Sequence, residues 1–121
     1  RPFVTPDLIA RAVEGAARFG AVAAGIPARD TIKCCDDAGR VVRTLPRERI
    51  WIVQTPQAFR RETIVAAHRQ ACRDNFTGTD DAALVERLGV AVRMIVGAFE
   101  NIKITTPEDL VWAEHILSAR R

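Results

Sequence analysis

Lysine is scarce in this chain. Of 18 basic residues, 16 are arginine and only Lys33 and Lys103 are lysine. Cysteine occurs three times, histidine twice, and no apolar run approaches the ~18 residues that a membrane span requires. Cys34, Cys35 and Cys72 are odd in number, two are adjacent, and none forms a CxxC pair or a Cys/His cluster with zinc-like spacing. Reduced thiols are therefore expected, and neither a disulfide framework nor a zinc site. His68 and His115 lie far apart, each inside a helical pattern, so both read as structural or surface histidines. No metal ligand is expected among them, and no catalytic base. A signal-peptide pattern is also missing at the start, which makes the cytoplasm the expected compartment. The chain opens on Arg1-Pro2 with no initiator methionine. It is expected to be a processed product or a piece of something longer.

What is present fits an ordinary soluble domain. The 121 residues are 48% hydrophobic and 27% charged, enough for one core and consistent with one domain or part of one. The net charge of +3 and a pI near 9.1 raise the question of nucleic acid. Yet the arginines are scattered, and Phe and Trp do not interleave with them. A small anionic ligand fits the charge equally well, and no nucleic-acid or membrane partner is expected.

The element order follows from caps and periodicity. Thr5-Pro6-Asp7 is a helix start, Ile9, Ala12, Val13 and Ala16 give it one face, and Gly20 closes it. "AVAAGIPA" is apolar at consecutive positions, as in a strand covered on both faces, and Pro27 ends it. "TIKCC" and "RVVRT", joined by "DDAG", predict a hairpin arm over about 29–47. Two isolated strands are marginal in water, so the arm needs a surface to lie on, either a partner subunit or its own domain. "RIWIVQTPQAF" predicts a strand with a break at Thr55-Pro56. A helix over about 60–73 carries Ile64, Ala67, His68, Ala71 and Cys72 on one side. A short helix follows, with Thr79 as its cap and Gly89 as its stop. "VAVRMIV" and "NIKI" predict two further strands. Thr106-Pro107-Glu108-Asp109 opens a final helix whose Leu110, Ala113, Ile116 and Leu117 are expected to face the core. The alternation argues α/β, where ligands gather beyond the carboxyl ends of the strands, and Lys103 lies near one such end.

Four motifs then occur together. "DTIK" (30–33), "QTPQAF" (54–59), "TDDAAL" (79–84) and "NIKITTPEDL" (101–110) stand in an order and spacing that resembles the 2-C-methyl-D-erythritol 4-phosphate cytidylyltransferase family of the non-mevalonate isoprenoid pathway. The opening "RPF" looks like the tail of that family's Asp-x-Ala-Arg-Pro segment. The resemblance covers the whole chain but only about the C-terminal half of the family's domain. It implies residues 1–121 of a Rossmann-like nucleotidyltransferase domain, a mixed and mostly parallel sheet flanked by helices, with a protruding β-hairpin arm. The N-terminal part would carry the glycine-rich CTP loop, the cytosine-reading residues and the aspartate that holds Mg²⁺. Mg²⁺ is thus implied as cofactor with no ligand in this chain.

The implied reaction passes CMP from CTP to methylerythritol phosphate and releases pyrophosphate. Such chemistry depends on positioning and on cancelling charge at the phosphoryl oxygens. Lys103 matches the family's phosphate-binding lysine, and a compact ammonium suits a single phosphate oxygen. On pattern alone it could instead be an edge-strand lysine that blocks aggregation. Arg47 resembles the arginine that reaches the substrate phosphate from the neighbouring subunit, although Pro46 stands where the family usually has an acidic residue. Thr31 resembles the arm threonine that touches the partner's sugar phosphate. Thr55 and Thr79 resemble further hydroxyl donors to the same substrate, and Arg1 would lie near the nucleotide. The resemblance also implies a homodimer built through the arm. Two alternatives stay open: a ribitol-5-phosphate cytidylyltransferase, and an inactive fragment that acts only as an assembly module.

Overall fold

The computed structural model describes all of residues 1–121. Its centre is strand β1 (Ala21–Pro27), whose first five residues are buried. β1 pairs antiparallel with β4 (Trp51–Phe59) and parallel with β5 (Arg93–Val96), giving a mixed sheet of order β4-β1-β5. Alternate residues of a strand point to opposite faces. Val22 faces helix α1 (Pro6–Phe19), where a Cβ on Gly15 would come within 2.9 Å of its side chain. Ala21 instead joins Ala67 and Ala71 of α2 (Arg61–Arg73) and Leu84 and Val85 of α3 (Asp81–Arg87) in the main core cluster. Helices therefore cover both faces, and small residues on β1 let them approach closely. The α/β architecture expected from the sequence is the one observed.

Most boundaries fall where the caps put them. The Thr5 side chain accepts from the Leu8 N–H, Pro6 occupies the first helical turn, and Gly20 ends α1 at φ 92°. Gly89, at φ 78°, donates to the Glu86 carbonyl and ends the turn after α3. The arm comprises β2 (Lys33–Cys35) and β3 (Val41–Thr44), paired antiparallel around a turn in which Asp36 accepts from the Ala38 and Arg40 N–H groups. Every residue of both strands is exposed, and the two strands pair only with each other. No helix is long and apolar enough to cross a membrane.

Four expectations need correction. Thr55-Pro56 does not break its strand. β4 runs on to Phe59, because the ladder shifts register between Ala23 and Gly25 and Pro56 sits in that irregularity, where no ladder N–H is needed. "NIKI" is not a strand: residues 101–104 join no ladder, and Asn101 is tied down through its side chain instead, as described below. The edge-strand reading of Lys103 falls with it. The cap of α3 is Asp80, not Thr79: the Asp80 carboxylate accepts from the Ala83 N–H at 2.8 Å and leaves Thr79 one residue outside the cap. Finally, α4 (Pro107–Ala119) starts at Thr106 as expected but buries no residue. Of the four residues expected to face the core, Leu110 is 53% and Leu117 47% exposed, while Ala113 and Ile116 are half-covered. Nothing in these 121 residues packs over the Leu110/Leu117 face.

Candidate functional site

Residues from four separate segments converge on one open cavity of about 410 Å³, lined by Arg1, Val53, Gln54, Thr55, Gln57, Thr79, Asp80 and Lys103. Four of the six site residues expected from the sequence meet here: Arg1, Thr55, Thr79 and Lys103. Thr31 and Arg47 do not line it. Thr31 is exposed just before β2, and Arg47 opens a single 3₁₀ turn (Arg47–Arg49), with its Nη1 donating to the Arg29 carbonyl at 2.6 Å. Pro46, in place of an acidic residue, is the extended residue that precedes this turn.

The two lysines have different local partners. Lys33 Nζ donates to Thr44 Oγ1 at 2.8 Å, a cross-strand tie within the arm. Lys103 is exposed, enters none of the chain's ion pairs, and faces the cavity. Arg1 is half-buried: Nη1 donates to the Asn101 carbonyl and Nη2 to the Val53 carbonyl. Burial lowers the pKa of its guanidinium from the ordinary value.

The single carboxylate of the lining, Asp80, is fully engaged. One oxygen caps α3 at Ala83, and the other accepts from Gln57 Nε2 at 3.0 Å. Gln57 Oε1 in turn accepts from the Ala82 N–H at 3.1 Å. The helix N-terminus is thus already matched by a protein anion. What remains for a ligand is two cations, Arg1 and Lys103, and two exposed hydroxyls, Thr55 and Thr79. Such a set favours an anion with several oxygens, as a phosphate monoester has.

A larger cavity of about 810 Å³ lies on the other side of Thr55, Gln57 and Asp80 and is lined also by His68, Cys72, Phe76 and Asp81. It holds no lysine or arginine, and Asp81 Oδ1 lies 2.9 Å from His68 Nε2 at its rim. With Asp81 added to the shared Asp80 and no cation to offset them, it suits a phosphate less. The smaller cavity is the better candidate despite its size.

Two residues of the site carried no signal that sequence reasoning used. Gln54 and Asn101 are 5% and 1% exposed, and their side-chain amides meet at 3.2 Å. Each stands in a motif of the sequence, but as neighbours of Thr55 and Lys103 rather than on their own account. A polar amide in an apolar strand is the cue that was there to find, since a buried amide requires partners.

A sequence profile of the 2-C-methyl-D-erythritol 4-phosphate cytidylyltransferase family matches residues 1–119. A curated relative from Pelotomaculum thermopropionicum, named 2-C-methyl-D-erythritol 4-phosphate cytidylyltransferase, is 50% identical over all 121 residues, which cover 51% of that protein. Among solved structures, 4-diphosphocytidyl-2C-methyl-D-erythritol synthase from Anaerococcus prevotii superposes with a TM-score of 0.91 at 33% identity, covering 98% of this chain and 53% of that one. The 2-C-methyl-D-erythritol 4-phosphate cytidylyltransferase of Thermus thermophilus gives a TM-score of 0.85 at 40% identity, covering 96% and 57%. The chain spans about half the length of the curated relatives it matches. On a match that runs through nearly every residue, this chain belongs to the 2-C-methyl-D-erythritol 4-phosphate cytidylyltransferase family.

Proposed function

We propose that this chain is the substrate-phosphate half of an enzyme that transfers CMP from CTP to 2-C-methyl-D-erythritol 4-phosphate. A phosphate oxygen of the sugar alcohol attacks the α-phosphorus of CTP, a new P–O bond forms, and the bond to pyrophosphate breaks. The observation that carries this reading is the meeting of Arg1, Thr55, Thr79 and Lys103 around one cavity in which two cations outnumber the one carboxylate, itself held by Gln57 and the Ala83 N–H. In this reading the Thr55 and Thr79 hydroxyls hold the incoming phosphate. Lys103 offsets charge that grows on the phosphoryl oxygens, and Arg1 lies on the nucleotide side.

Mg²⁺ would supply further charge neutralisation on the triphosphate, but the residues here do not fit it. Asp80 is the cavity's sole carboxylate, its two oxygens are engaged, and two cations share its surroundings. The metal ligand therefore belongs to the other half of the intact protein, which also carries the CTP-binding loop. We further propose that this other half covers the exposed Leu110/Leu117 face of α4.

The arm fits a homodimer. Its strands are exposed throughout, with Val41 and Val42 57% and 65% accessible, and a partner subunit gives them the surface they lack. Thr31 and Arg47, absent from this subunit's cavity, then serve the partner's. In this reading the intact enzyme acts in the cytoplasm.

The test is pyrophosphate release by the full-length protein with CTP, Mg²⁺ and methylerythritol phosphate. Turnover that depends on all three is expected. Turnover with ribitol 5-phosphate in place of methylerythritol phosphate, or with neither, would overturn the assignment of substrate.

A further inference from the structure

We infer that Gln54 and Asn101 are positioning residues, a buried amide pair that sets Lys103 against Thr55; this rests on the reading of the cavity as the substrate-phosphate site. Lys103 and Thr55 sit on chain segments that share no ladder hydrogen bond, since β4 pairs with β1 and residues 101–104 form no strand. Their separation must be fixed in another way. The fixing runs through side chains. Gln54 Nε2 donates to the Ala98 carbonyl at 2.8 Å, and Gln54 Oε1 accepts from the Ala98 N–H at 3.4 Å and from Asn101 Nδ2 at 3.2 Å. The same Asn101 Nδ2 donates to the Thr55 carbonyl at 2.8 Å.

The two residues thus stitch the segment that carries Lys103 to the one that carries Thr55. Lys103 is two residues beyond Asn101, and Thr55 is the residue after Gln54. Both amides are almost wholly buried, so water does not compete for these bonds. Gly97 keeps the room for them: a Cβ there would come within 2.2 Å of Gln54 Oε1. Neither Asn101 nor Gln54 needs to touch the substrate for this. Their effect passes through the place they give to an ammonium and a hydroxyl.

The experiment is a double-mutant cycle in the full-length protein, read as single-turnover transfer from CTP to methylerythritol phosphate so that slow variants remain measurable. Asn101→Ala is expected to slow transfer about 10- to 100-fold, the scale of an ångström-sized misplacement. In a Lys103→Ala background, the same substitution should cost no more than about twofold, because the group it positions is gone. Thermal melting read alongside separates lost fold from lost placement. Gly97→Ala is the second variant. It displaces the Gln54 amide without removing a buried polar group, and it should show the same dependence on Lys103. Equal slowing in both backgrounds, or none in either, would overturn the inference while leaving the substrate-site reading intact. A wild-type protein that does not turn over methylerythritol phosphate would overturn that reading, and this inference with it.

Discussion

Gln57 and Asp80 are joined side chain to side chain at 3.0 Å, and this bond fastens β4 to the N-terminus of α3. Asp80 also caps the helix at Ala83, and Gln57 also accepts from Ala82, so the two residues satisfy neighbouring backbone donors as a unit. The wall between the two cavities is built from this unit and Thr55. Asp80→Ala removes the cap and releases Gln57. The expected loss is about 1–2 kcal/mol by denaturant unfolding, with Asp80→Asn losing much less because asparagine caps nearly as well. Equal stability of the alanine and wild-type proteins would show that the cap carries no weight.

Lys103→Ala in the full-length enzyme should lower kcat by about 100- to 1,000-fold, the range seen when one preorganised charge-stabilising group is removed. The melting temperature should hardly move, because Lys103 is exposed and enters none of the chain's ion pairs. Lys103→Arg should not rescue fully, since a planar fork and a compact ammonium present their protons differently. An unchanged kcat in the alanine variant would remove Lys103 from the site.

Arg47→Ala separates binding from chemistry. Its side chain is exposed and reaches only the Arg29 carbonyl within its own chain. Loss of a charged hydrogen bond to a phosphate, about 1.5–3 kcal/mol, corresponds to at least a tenfold rise in KM for methylerythritol phosphate. kcat should stay within a few-fold of wild type. A large fall in kcat at constant KM would assign Arg47 to the transferring group instead.

The arm supplies a prediction about assembly. Replacing both Val41 and Val42, which are exposed and apolar, with arginine adds two charges to each copy of a surface that a dimer would bury. Sedimentation of the full-length protein should then show monomers where wild type gives dimers. An unchanged dimer would place the interface elsewhere, and with it the reason for assigning Thr31 and Arg47 to a neighbouring site.

Local signals proved legible in the sequence and long-range ones did not. Thr5-Pro6, Gly20, Gly89 and Thr106-Pro107 marked helix ends correctly, because a cap is settled within a few residues. Thr79 was displaced by Asp80 because adjacent residues compete for one capping geometry, and the carboxylate won. Pro56 predicts a break in its strand because the sequence does not reveal that extra residues bulge out of the ladder there and the strand resumes beyond them. The pairing of Gln54 with Asn101 spans 47 positions and leaves no periodic trace, so "NIKI" read as a strand when its neighbours are in fact held by amides. The core face assigned to α4 rested on apolar spacing, which names a face to be covered without saying what covers it. Of the site, the motif residues Arg1, Thr55, Thr79 and Lys103 came together in one cavity, while the buried amides between them became visible only in three dimensions.

Asp109 ties the start of α4 to pH. One carboxylate oxygen accepts from the Thr105 N–H at 2.9 Å, the Thr106 N–H at 2.9 Å and the Thr105 hydroxyl at 3.1 Å. These bonds, led by the backbone donor of Thr105, hold the carboxyl below its ordinary value of 3.8. A carboxylate whose folded pKa is depressed adds stability that is fully present above its unfolded pKa. That stability is lost as pH falls through the folded value, so the window lies below about pH 4. The bonds that would be lost are local, and the helix they start is packed on little else in this chain. Amide exchange at Thr105 and Thr106, corrected for the intrinsic rate, should therefore speed up on acidification through that window before the β1 amides respond. Asp109→Ala should show fast exchange at those two positions already at neutral pH and no further step in acid, since neither an acceptor nor an ionisable group remains there. Slow exchange in the alanine variant, or a wild-type step that coincides with exchange in β1, would mean that the carboxylate does not hold this helix start.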